Sequence, residues 1–491
     1  MSVAQQASAL VTRSSIRLTP DSSRVLATMF LPGEEMPEDR SRATAVIERV
    51  LMLSAEEVSA TLADLRARFA GRHRDLGATF LRHYQAVAPR IGSGNEPPEN
   101  HRRLIGAYFT HEESPEGAAL TNPCMVAHPD QSGLAPGEVR FVLSLRAVGE
   151  GHVSSLEFRT GVIGDDLEVR IDEPAGLLAK GTLQAALYER GEFERRRGRG
   201  VGEETERLVL DSLPARFTKA AMEEAIASLN PLFTGRKVAR DTLTALRGVL
   251  ANNYEVAFAE DTAVDERILV PVGPTESHGI EDARFVRFVD DEGGVVYYAT
   301  YTAYDGSHVV PQLLVTKDFR VFRTHQLSGP AAKNKGMALF PRRVGGRFLS
   351  LSRWDRESNS LTASDDGLDW GTPVPIQSPT RTWELIQIGN CGSPLETPAG
   401  WLVLTHGVGP MRTYSIGAVL LDLHDPTKLL GRLREPLLMP IAAERNGYVP
   451  NVVYSCGGLV HGDALVLPYG YGDVAVGVAV VDLPRLFDLL L

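Results

Sequence analysis

Several residues whose side chains can hold a proton, an anion or a sugar hydroxyl occur at corresponding points of repeated apolar segments. These residues are Arg146, Asp282, Tyr301, Tyr304, Arg353, His406 and Asp473. A single arginine in a strand is usually a surface ion pair, and a single histidine is usually structural. Polar residues at like positions of every segment instead favour one shared polar site.

The segments themselves form a loose repeat. They begin near residues 122, 281, 338, 392 and 451, and each runs from a turn through two apolar strands joined by a loop. Repeats of about 50 residues with several strands each predict an all-β fold, a five-bladed β-propeller, with an irregular β-sandwich as the alternative. The innermost strands of a propeller converge on a central channel. The polar residues of the five segments are therefore expected around one pocket.

Helical patterns precede and interrupt these strands. Apolar residues at helical spacing follow residue 38, and Ser54 with Glu57 forms a predicted capping box. A second stretch rich in Ala, Leu and Glu covers about 181–260. We therefore expect an α-helical N-terminal region (1–100) and a propeller (101–491), with a helical insertion between blades 1 and 2.

Composition narrows the class of protein. With 491 residues, 43% hydrophobic content and a net charge of −11, the chain can bury a core and is a poor match for a protein that coats nucleic acid. Its basic run, residues 194–200, is interpreted as a solvated helix end or loop. Cys124, Cys391 and Cys456 are far apart in sequence, which argues against a disulfide framework and favours a reducing compartment. Neither a membrane helix nor a secretory signal is recognisable, so a cytoplasmic location is expected.

Motifs for bound cofactors are missing from the sequence as well. It has no HExxH, no GxGxxG after a strand and no GxxxxGK[ST], so neither a metal nor a nucleotide cofactor is expected. The GxSxG signature of many serine hydrolases is also absent. The chemistry is therefore expected to rest on the chain's own side chains and on its substrates.

Eight short motifs occur in an order that resembles glycoside hydrolase family 130. They are EDAR, YTAYDG, NKGMALFP, LSLSRWD, SDDGLDW, GWLVLTHGV, YSIGAVLLDLHDP and ERNGYVPNVVY. The resemblance covers about residues 104–491. It implies a five-bladed propeller and an activity on β-mannosides, as a phosphorylase or a mannosidase.

The resemblance also implies roles for particular residues. The family's catalytic acid is the aspartate of a Glu-Asp-Pro-Arg motif, which corresponds here to Asp282 in Glu281-Asp282-Ala283-Arg284. It would protonate the leaving oxygen through a hydroxyl of the bound mannose. The residues matched to phosphate binding are Lys335, Arg353, His406 and Tyr414, and those expected at the substrate are Asn122, Arg146, Arg284, Tyr301, Tyr304, Glu444 and Asp473.

Three hypotheses follow. The first is an inverting phosphorylase that cleaves β-1,2- or β-1,4-linked manno-oligosaccharides and releases α-mannose 1-phosphate, with inorganic phosphate as co-substrate. Phosphate is already an anionic nucleophile, so this reaction needs an acid and an anion clamp but no general base. The second is a β-mannosidase in which Glu384 or Glu444 activates water. The third is a carbohydrate-binding propeller without activity. No nucleic-acid or membrane partner is expected, whereas the helical segments favour a homo-oligomer.

Overall fold

The computed structural model describes residues 10–33, 41–91, 96–195 and 202–491. The N-terminal part begins with two strands, continues through four helices and ends with a short strand. These elements are β1 (Val11–Leu18), β2 (Leu26–Met29), α1 (Arg42–Leu51), α2 (Ala55–Phe69), α3 (Leu76–Val87), α4 (Glu99–Tyr108) and β3 (Thr110–Glu113). Helix α4 contacts the other three, and its Leu104 and Ile105 are fully buried with Val58 of α2.

The predicted capping box starts α2. The Glu57 amide donates to Ser54 Oγ (3.2 Å), and the Ser54 amide donates to Glu57 Oε2 (2.8 Å). The two side chains thus satisfy amides that have no partner inside the helix. No helix in the described ranges is long and apolar enough to cross a membrane.

Unit 1 is the first of five antiparallel meanders. It contains β4 (Ala119–Ala127), β5 (Val139–Val148), β6 (Ser154–Ile163) and β7 (Val169–Ile171), each paired with the next along the chain. Buried residues run together over 141–145 in β5 and 154–159 in β6, which is typical of a sheet covered on both faces.

The insertion follows unit 1 and has a hydrophobic core of its own, in which Phe193, Phe217 and Leu246 are buried. Its elements are β8 (Ala179–Lys180), β9 (Thr182–Gln184), β10 (Leu187–Glu189), α5 (Arg190–Arg195), α6 (Glu203–Asp211), β11 (Arg216–Thr218), α7 (Lys219–Ala227), α8 (Pro231–Thr234), α9 (Lys237–Asn252) and β12 (Glu255–Ala257). The helical prediction was wrong for residues 181–189, because β9 pairs with β12 and β10 pairs with β11. Most of the basic run 194–200 lies outside the described residues.

Units 2 to 5 follow in the order that the sequence repeat predicts. Strand β13 (Arg267–Leu269) follows the insertion and pairs with β6 and β8, so it extends the sheet of unit 1. Unit 2 has β14 (Gly279–Val289), β15 (Val295–Tyr304), β16 (Val309–Thr316) and β17 (Val321–Gln326); unit 3 has β18 (Ala338–Leu339), β19 (Phe348–Ser352), β20 (Asn359–Ser364) and β21 (Val374–Gln377). Unit 4 has β22 (Gln387–Asn390), β23 (Leu395–Thr397), β24 (Gly400–Val408), β25 (Tyr414–Leu421) and β26 (Leu429–Arg432); unit 5 has β27 (Val453–Tyr454), β28 (Leu459–His461), β29 (Ala464–Tyr471) and β30 (Ala475–Asp482), followed by α10 (Leu483–Leu490).

The first strand of the chain completes the last unit. Strand β1 pairs antiparallel with β30, and Val11 lies opposite Val481. The predicted N-terminal region 1–100 is therefore not wholly helical, because residues 11–18 belong to the sheet of unit 5. Residues 11–18 and 476–481 are thereby joined by a ladder of hydrogen bonds.

Each unit contacts the next one. Strand β14 contacts β4 and β5, β15 contacts β18, β20 contacts β22, and β25 contacts β27. Strands β29 and β30 then contact β4, so that unit 5 lies beside unit 1. Units 1 and 2 also share one parallel pairing, between Ser154 and Gly279. The described strands thus form antiparallel sheets that follow one another in a cycle of contacts, not a single closed sheet.

Candidate active site

A polar pocket of about 270 Å³ lies where the five units meet. All five contribute to its lining. The lining residues are Asn122 and Arg146 of unit 1, Asp282 and Arg284 of unit 2, Lys335 and Arg353 from or next to unit 3, Gln387, His406, Arg412 and Tyr414 of unit 4, and Val449, Val452, Tyr454, Ser455 and Asp473 from or next to unit 5. Nine of these fifteen were predicted from the sequence.

Two of the lining residues are placed by matching irregularities in the first long strand of their units. The pairing of β4 with β5 shifts register between Thr121 and Cys124, and the pairing of β14 with β15 shifts between Glu281 and Arg284. Asn122 and Asp282 lie inside these shifts with φ of 48° and 56°. A β-bulge with left-handed backbone redirects a side chain, and Asn and Asp tolerate that conformation better than most residues.

Asp282 lies among cations. Only 15% of its side chain is exposed, and its Oδ1 is 3.6 Å from Arg146 Nη1. Burial raises the pKa of the Asp282 carboxyl, but the surrounding positive charges outweigh burial and hold that pKa below its ordinary value. The charges responsible are those of Lys335, Arg146, Arg284 and Arg353.

Glu281, the neighbour of Asp282, pairs with two of these cations. Its Oε1 accepts a hydrogen bond from Arg146 Nη2 (2.6 Å), and its Oε2 accepts one from Lys335 Nζ. Arg146 also donates from Nε to Ser154 Oγ (2.8 Å). The Glu281 carboxylate therefore fixes the positions of two cations without itself being part of the pocket lining.

Arg353 of unit 3 and His406 of unit 4 form a pair between neighbouring units. Arg353 Nη1 donates to His406 Nε2 (3.0 Å), so the ring carries its proton on Nδ1. Burial lowers the pKa of His406 well below its usual value, and the charges of Arg353 and Arg284 lower it further, so the ring is neutral. Gly389 makes room for the pair, since a Cβ there would lie 2.3 Å from Arg353 Cδ and 2.6 Å from His406 Cε1.

The pocket carries more positive than negative charge. Five of its lining residues are cationic, whereas three carboxylates lie in or directly behind the lining: Asp282, Asp473 and Glu281. The excess is two positive charges, because His406 is neutral. Such an excess in a largely buried site is suited to a small dianion.

Asp473 reaches the pocket from the turn between β29 and β30, again with left-handed backbone (φ 58°). Its Oδ1 accepts a hydrogen bond from Tyr454 Oη (2.6 Å). Burial raises the pKa of Tyr454, and the Asp473 charge raises it further, so the phenol stays protonated and keeps donating. Tyr454 thereby orients the carboxylate toward the pocket.

Three predicted substrate residues do not line the pocket. The Tyr301 hydroxyl is hydrogen-bonded to buried Glu276, and the Tyr304 hydroxyl donates to the Gly306 carbonyl (2.7 Å). Glu444 accepts from Tyr469 Oη (2.6 Å) and pairs with Arg13 Nε (3.1 Å). Their expected place at the substrate is therefore not supported, because their polar atoms are engaged away from the lining.

Glu384, the other candidate base for hydrolysis, also lies outside the lining. It is fully buried, accepts hydrogen bonds from the amides of Thr380 and Arg381, and pairs with Arg432. Both candidate bases thus lie in the loops before the first strands of units 4 and 5, and their carboxylates are engaged by other partners.

Sequence reasoning missed six of the lining residues: Gln387, Arg412, Val449, Val452, Tyr454 and Ser455. One signal could have indicated Arg412. The strand connections GEGHV (149–153) and GPMRT (409–413) occupy the same place in units 1 and 4 and share a glycine at the first position. The other five follow no pattern that separates them from ordinary strand and loop residues.

The three cysteines, distant in sequence, lie near one another, Cys124 in β4 and the other two just after the first strands of units 4 and 5. Each is a buried free thiol, and burial raises the pKa of all three. Cys124 Sγ accepts a hydrogen bond from the Phe285 amide (3.2 Å), and the Cys391 carbonyl accepts one from Arg284 Nε (2.9 Å). Among the described residues, no group of three or more His, Cys, Asp or Glu side chains could hold a metal ion.

Residues 251–491 match the profile of glycoside hydrolase family 130, described as β-1,4-mannooligosaccharide phosphorylase. A 1,2-β-oligomannan phosphorylase of Thermoanaerobacter sp. (strain X514) is 32% identical over 229 residues, which span 45% of this chain and 74% of the relative. A β-1,2-mannobiose phosphorylase of the same strain is 34% identical over 224 residues, 44% of this chain and 72% of the relative. These matches define a carbohydrate-active enzyme. The chain belongs to glycoside hydrolase family 130.

Solved structures resemble the chain more loosely. The β-1,2-mannobiose phosphorylase from Listeria innocua, solved in complex with β-1,2-mannobiose, is 22% identical, with a TM-score of 0.43. That alignment covers 77% of this chain and 93% of the Listeria chain.

Proposed function

We propose that the protein is an inverting phosphorylase of β-mannosides that releases α-mannose 1-phosphate. The observation that carries the proposal is the pocket itself, in which one carboxyl group, Asp282, lies among cations that exceed the carboxylates by two charges. An anionic nucleophile needs such a clamp, whereas water needs a carboxylate base. The relatives described above are named for the same reaction class.

We propose further that the five units are the blades of a propeller. Two features support this arrangement. The contacts between units run in a cycle that returns from unit 5 to unit 1. A second cavity, of about 290 Å³, also takes residues from or next to all five units, including Met125, Phe285, Pro341, Pro394 and Gly458. Two cavities with fivefold contributions are what the two ends of one central channel would provide.

In the proposed reaction a phosphate oxygen attacks the anomeric carbon from the face opposite the leaving sugar. The glycosidic carbon–oxygen bond breaks, and the configuration at that carbon inverts. The leaving oxygen takes a proton that originates on Asp282 and passes through a mannose hydroxyl, as the family resemblance implies. No cofactor takes part, because phosphate supplies the nucleophile and Asp282 supplies the proton.

The proposed acid must be protonated before it can act. With the protein's own groups alone, the cations keep the Asp282 pKa low. A phosphate dianion placed against Arg353 and Lys335 would offset their charges and leave burial, which raises that pKa, as the stronger influence. Binding of the nucleophile would thereby prepare the acid.

For the sugar, we propose that Asn122, Arg146 and Asp473 bind the mannosyl residue. They lie on the unit 1 and unit 5 side of the pocket, away from Arg353 and His406, which we assign with Lys335 and Tyr414 to phosphate. The His406 and Tyr414 rings are nearly parallel, with centroids 6.2 Å apart, and both reach the pocket from unit 4. Cytoplasmic location and homo-oligomer formation remain predictions.

The test is the dependence of turnover on phosphate. The protein is incubated with β-1,2- and β-1,4-linked mannobiose, with and without phosphate, and α-mannose 1-phosphate and free mannose are measured by NMR. We expect phosphate consumption to match the disaccharide cleaved. Free mannose formed equally well without phosphate would contradict the proposal and favour hydrolysis, while saccharide binding without any cleavage would favour a binding protein.

A further inference from the structure

Two loops beside the pocket share one unusual geometry. Residues 149–153 connect β5 to β6 in unit 1, and residues 409–413 connect β24 to β25 in unit 4. In each loop the first amide donates to the carbonyl of the fifth residue at 3.0 Å, from Gly149 to Val153 and from Gly409 to Thr413. In each, the third and fourth residues are both left-handed.

The left-handed residues include three that are not glycine. Met411 (φ 57°) and Arg412 (φ 54°) follow one another in unit 4, and His152 (φ 58°) occupies the fourth position in unit 1. A non-glycine residue in this region is strained and persists where the surroundings hold it. The loops therefore hold these side chains in set positions despite strain.

Unit 5 lies between units 4 and 1 in the cycle of contacts, and the loop before its first strand presents an aromatic side chain beside the unit 1 loop. Tyr448 precedes the pocket residue Val449, and its ring faces that of His152 with centroids 5.8 Å apart at 31°. Met411 precedes the pocket residue Arg412. We call Met411, Tyr448 and His152 the rim arc, since they belong to the loops of three units, 4, 5 and 1, that are neighbours in the cycle of contacts.

Folding does not account for the rim arc. Met411 is 87% exposed and Tyr448 is 73% exposed, so neither stabilises the core by burial. Arg412, which joins the arc to the lining, makes no hydrogen bond or ion pair within the part of the chain that the structure describes. Strained, exposed apolar side chains next to a polar pocket are typical of a ligand surface.

We propose that the rim arc binds the leaving-group end of an oligosaccharide and makes the enzyme prefer chains of more than two sugars. This inference rests on the proposed function. The pocket, at about 270 Å³, is near the lower limit of about 300–1,000 Å³ for sites that enclose a drug-sized ligand. A mannosyl residue and a phosphate would fill it, so further sugars must lie outside.

The chemistry of the arc suits those sugars. The thioether of Met411 and the rings of Tyr448 and His152 offer apolar faces that pack against the C–H face of a pyranose. Polar contacts would come from Arg412, whose guanidinium N–H groups can donate hydrogen bonds to sugar hydroxyls. The occupant is thus the same saccharide whose non-reducing mannose reaches Asp282.

The decisive experiment separates the KM of the saccharide from the KM of phosphate. Tyr448→Ala, Tyr448→Phe and wild type are compared on manno-oligosaccharides of two, three and four residues. Leu232→Ala serves as the matched control, because Leu232 is 85% exposed but lies in the insertion. We expect Tyr448→Ala to raise the KM of the three- and four-residue substrates about tenfold, which corresponds to about 1.4 kcal/mol.

In the same series, the KM of phosphate should stay within about twofold of wild type, and Tyr448→Phe should keep the wild-type preference because it keeps the ring. Equal changes for phosphate and saccharide, or no change for the longer saccharides, would overturn the inference. The inference would also be overturned if Tyr448→Ala dissociated an oligomer of the protein into smaller species while its KM values stayed unaltered. The arc would then bind a second copy of the chain.

Failure of the proposed function gives a different result. If no variant consumes phosphate, binding of the tetrasaccharide is measured by calorimetry on wild type and Tyr448→Ala. Weaker binding by the variant would support the arc even without phosphorolysis, whereas equal binding would overturn it.

Discussion

The protein buries charged side chains in two regions, in the loops just before the first strands of the units and in the pocket. In the loops the buried charges are paired, whereas in the pocket positive charge is in excess. Glu116, Glu276 and Glu384 each lie three residues before the first strand of a unit, at Ala119, Gly279 and Gln387. All three are almost completely buried, and each is held by several donors. We call them the anchor glutamates. The pocket instead gathers cations that have too few carboxylates to match them.

Glu276 illustrates how completely an anchor glutamate is satisfied. The Tyr254 hydroxyl donates to its Oε2 at 2.8 Å, and the Tyr301 hydroxyl donates to its Oε1. The amides of Val272 and Gly273 also donate to Oε2, both at 2.9 Å. A buried carboxylate is tolerable when its lone pairs are filled in this way. Glu276 therefore stabilises the fold and has no free oxygen for a substrate, whereas Glu384 is paired through Oε1 and its Oε2 is buried without a hydrogen-bond partner among the described residues.

Unit 3 departs from this pattern where the pocket needs a cation. Lys335 occupies the same offset, three residues before β18 begins at Ala338. Its Nζ pairs with Glu281, the neighbour of Asp282, and its side chain lines the pocket. The comparison teaches that paired buried charge marks the scaffold of this protein, whereas surplus buried charge marks the place for a ligand.

The largest expected effect comes from the carboxyl group inside the cation cluster. Asp282→Asn should lower kcat by about 10²–10⁴-fold, because a general acid contributes about that factor. Asn tolerates the left-handed backbone at this position, so the melting temperature should change little. Asp291→Asn, in the exposed turn between β14 and β15, is the control. Turnover above a tenth of wild type would remove Asp282 from the role of acid.

Loss of an anchor glutamate should act on stability instead. Glu276→Ala would leave two tyrosine hydroxyls and two amides without their acceptor, at about 1–3 kcal/mol for each that stays buried and unpaired. We expect a total of at least about 3 kcal/mol, measured as a fall in the calorimetric melting temperature. Glu260→Ala is the control, since Glu260 is 88% exposed. An unchanged melting temperature, with or without a rise in the KM of phosphate, would contradict the distinction between paired charge in the scaffold and excess charge in the pocket.

The repeat made most of the site predictable. Because the same strand end recurs in every unit, residues such as Arg146, Asp282 and His406 could be assigned to one pocket from sequence. Tyr301 and Glu444 could not be placed correctly, because the anchor contacts that engage them come from a preceding loop and a neighbouring strand. Pairing of that kind leaves no signal in the spacing of the residues.

The fold shows the same division between local and distant causes. The Ser54 capping box is local and was confirmed. Strand β1 pairs with a strand more than 450 residues away in sequence, so its place could not be predicted from its own residues. Residues 182–184 and 187–189 are strands despite an Ala- and Leu-rich sequence, because pairing with β12 and β11 overrides helix propensity.

A smaller effect is expected from a cation of the pocket. Arg353→Met should raise the KM of phosphate about ten- to a hundredfold, since a hydrogen bond to a charged group contributes about 1.5–3 kcal/mol. Burial and the Arg284 charge lower the pKa of Arg353, which indicates that the fold does not favour its positive charge. The melting temperature without phosphate should therefore not fall. Arg207→Met, on the exposed face of α6, is the control, and destabilisation without a change in KM would place Arg353 with the scaffold.

The smallest expected effect is an uptake of less than one proton when phosphate binds. It tests whether the cations of the pocket control the pKa of Asp282. Burial raises the pKa of Asp282 and the cations lower it, with the cations prevailing. Bound phosphate would offset the cations and raise that pKa, so binding should take up protons near neutral pH. By linkage, phosphate affinity should then fall as the pH rises through the raised pKa, beyond what phosphate's own ionisation explains.

The groups facing Asp282 are Arg146 of unit 1, Glu281 and Arg284 of its own strand, Lys335 and Arg353 of unit 3, His406 of unit 4, and Tyr454 and Asp473 of unit 5.

Titration calorimetry in two buffers of different ionisation enthalpy counts these protons. Wild type should take up more protons than Asp282→Asn when phosphate binds. Sulfate, which has no proton to exchange near neutral pH, should show the same difference if it binds in the same place. Equal proton counts in the two proteins would mean that the nucleophile does not prepare the acid, and the excess positive charge would then serve phosphate binding alone.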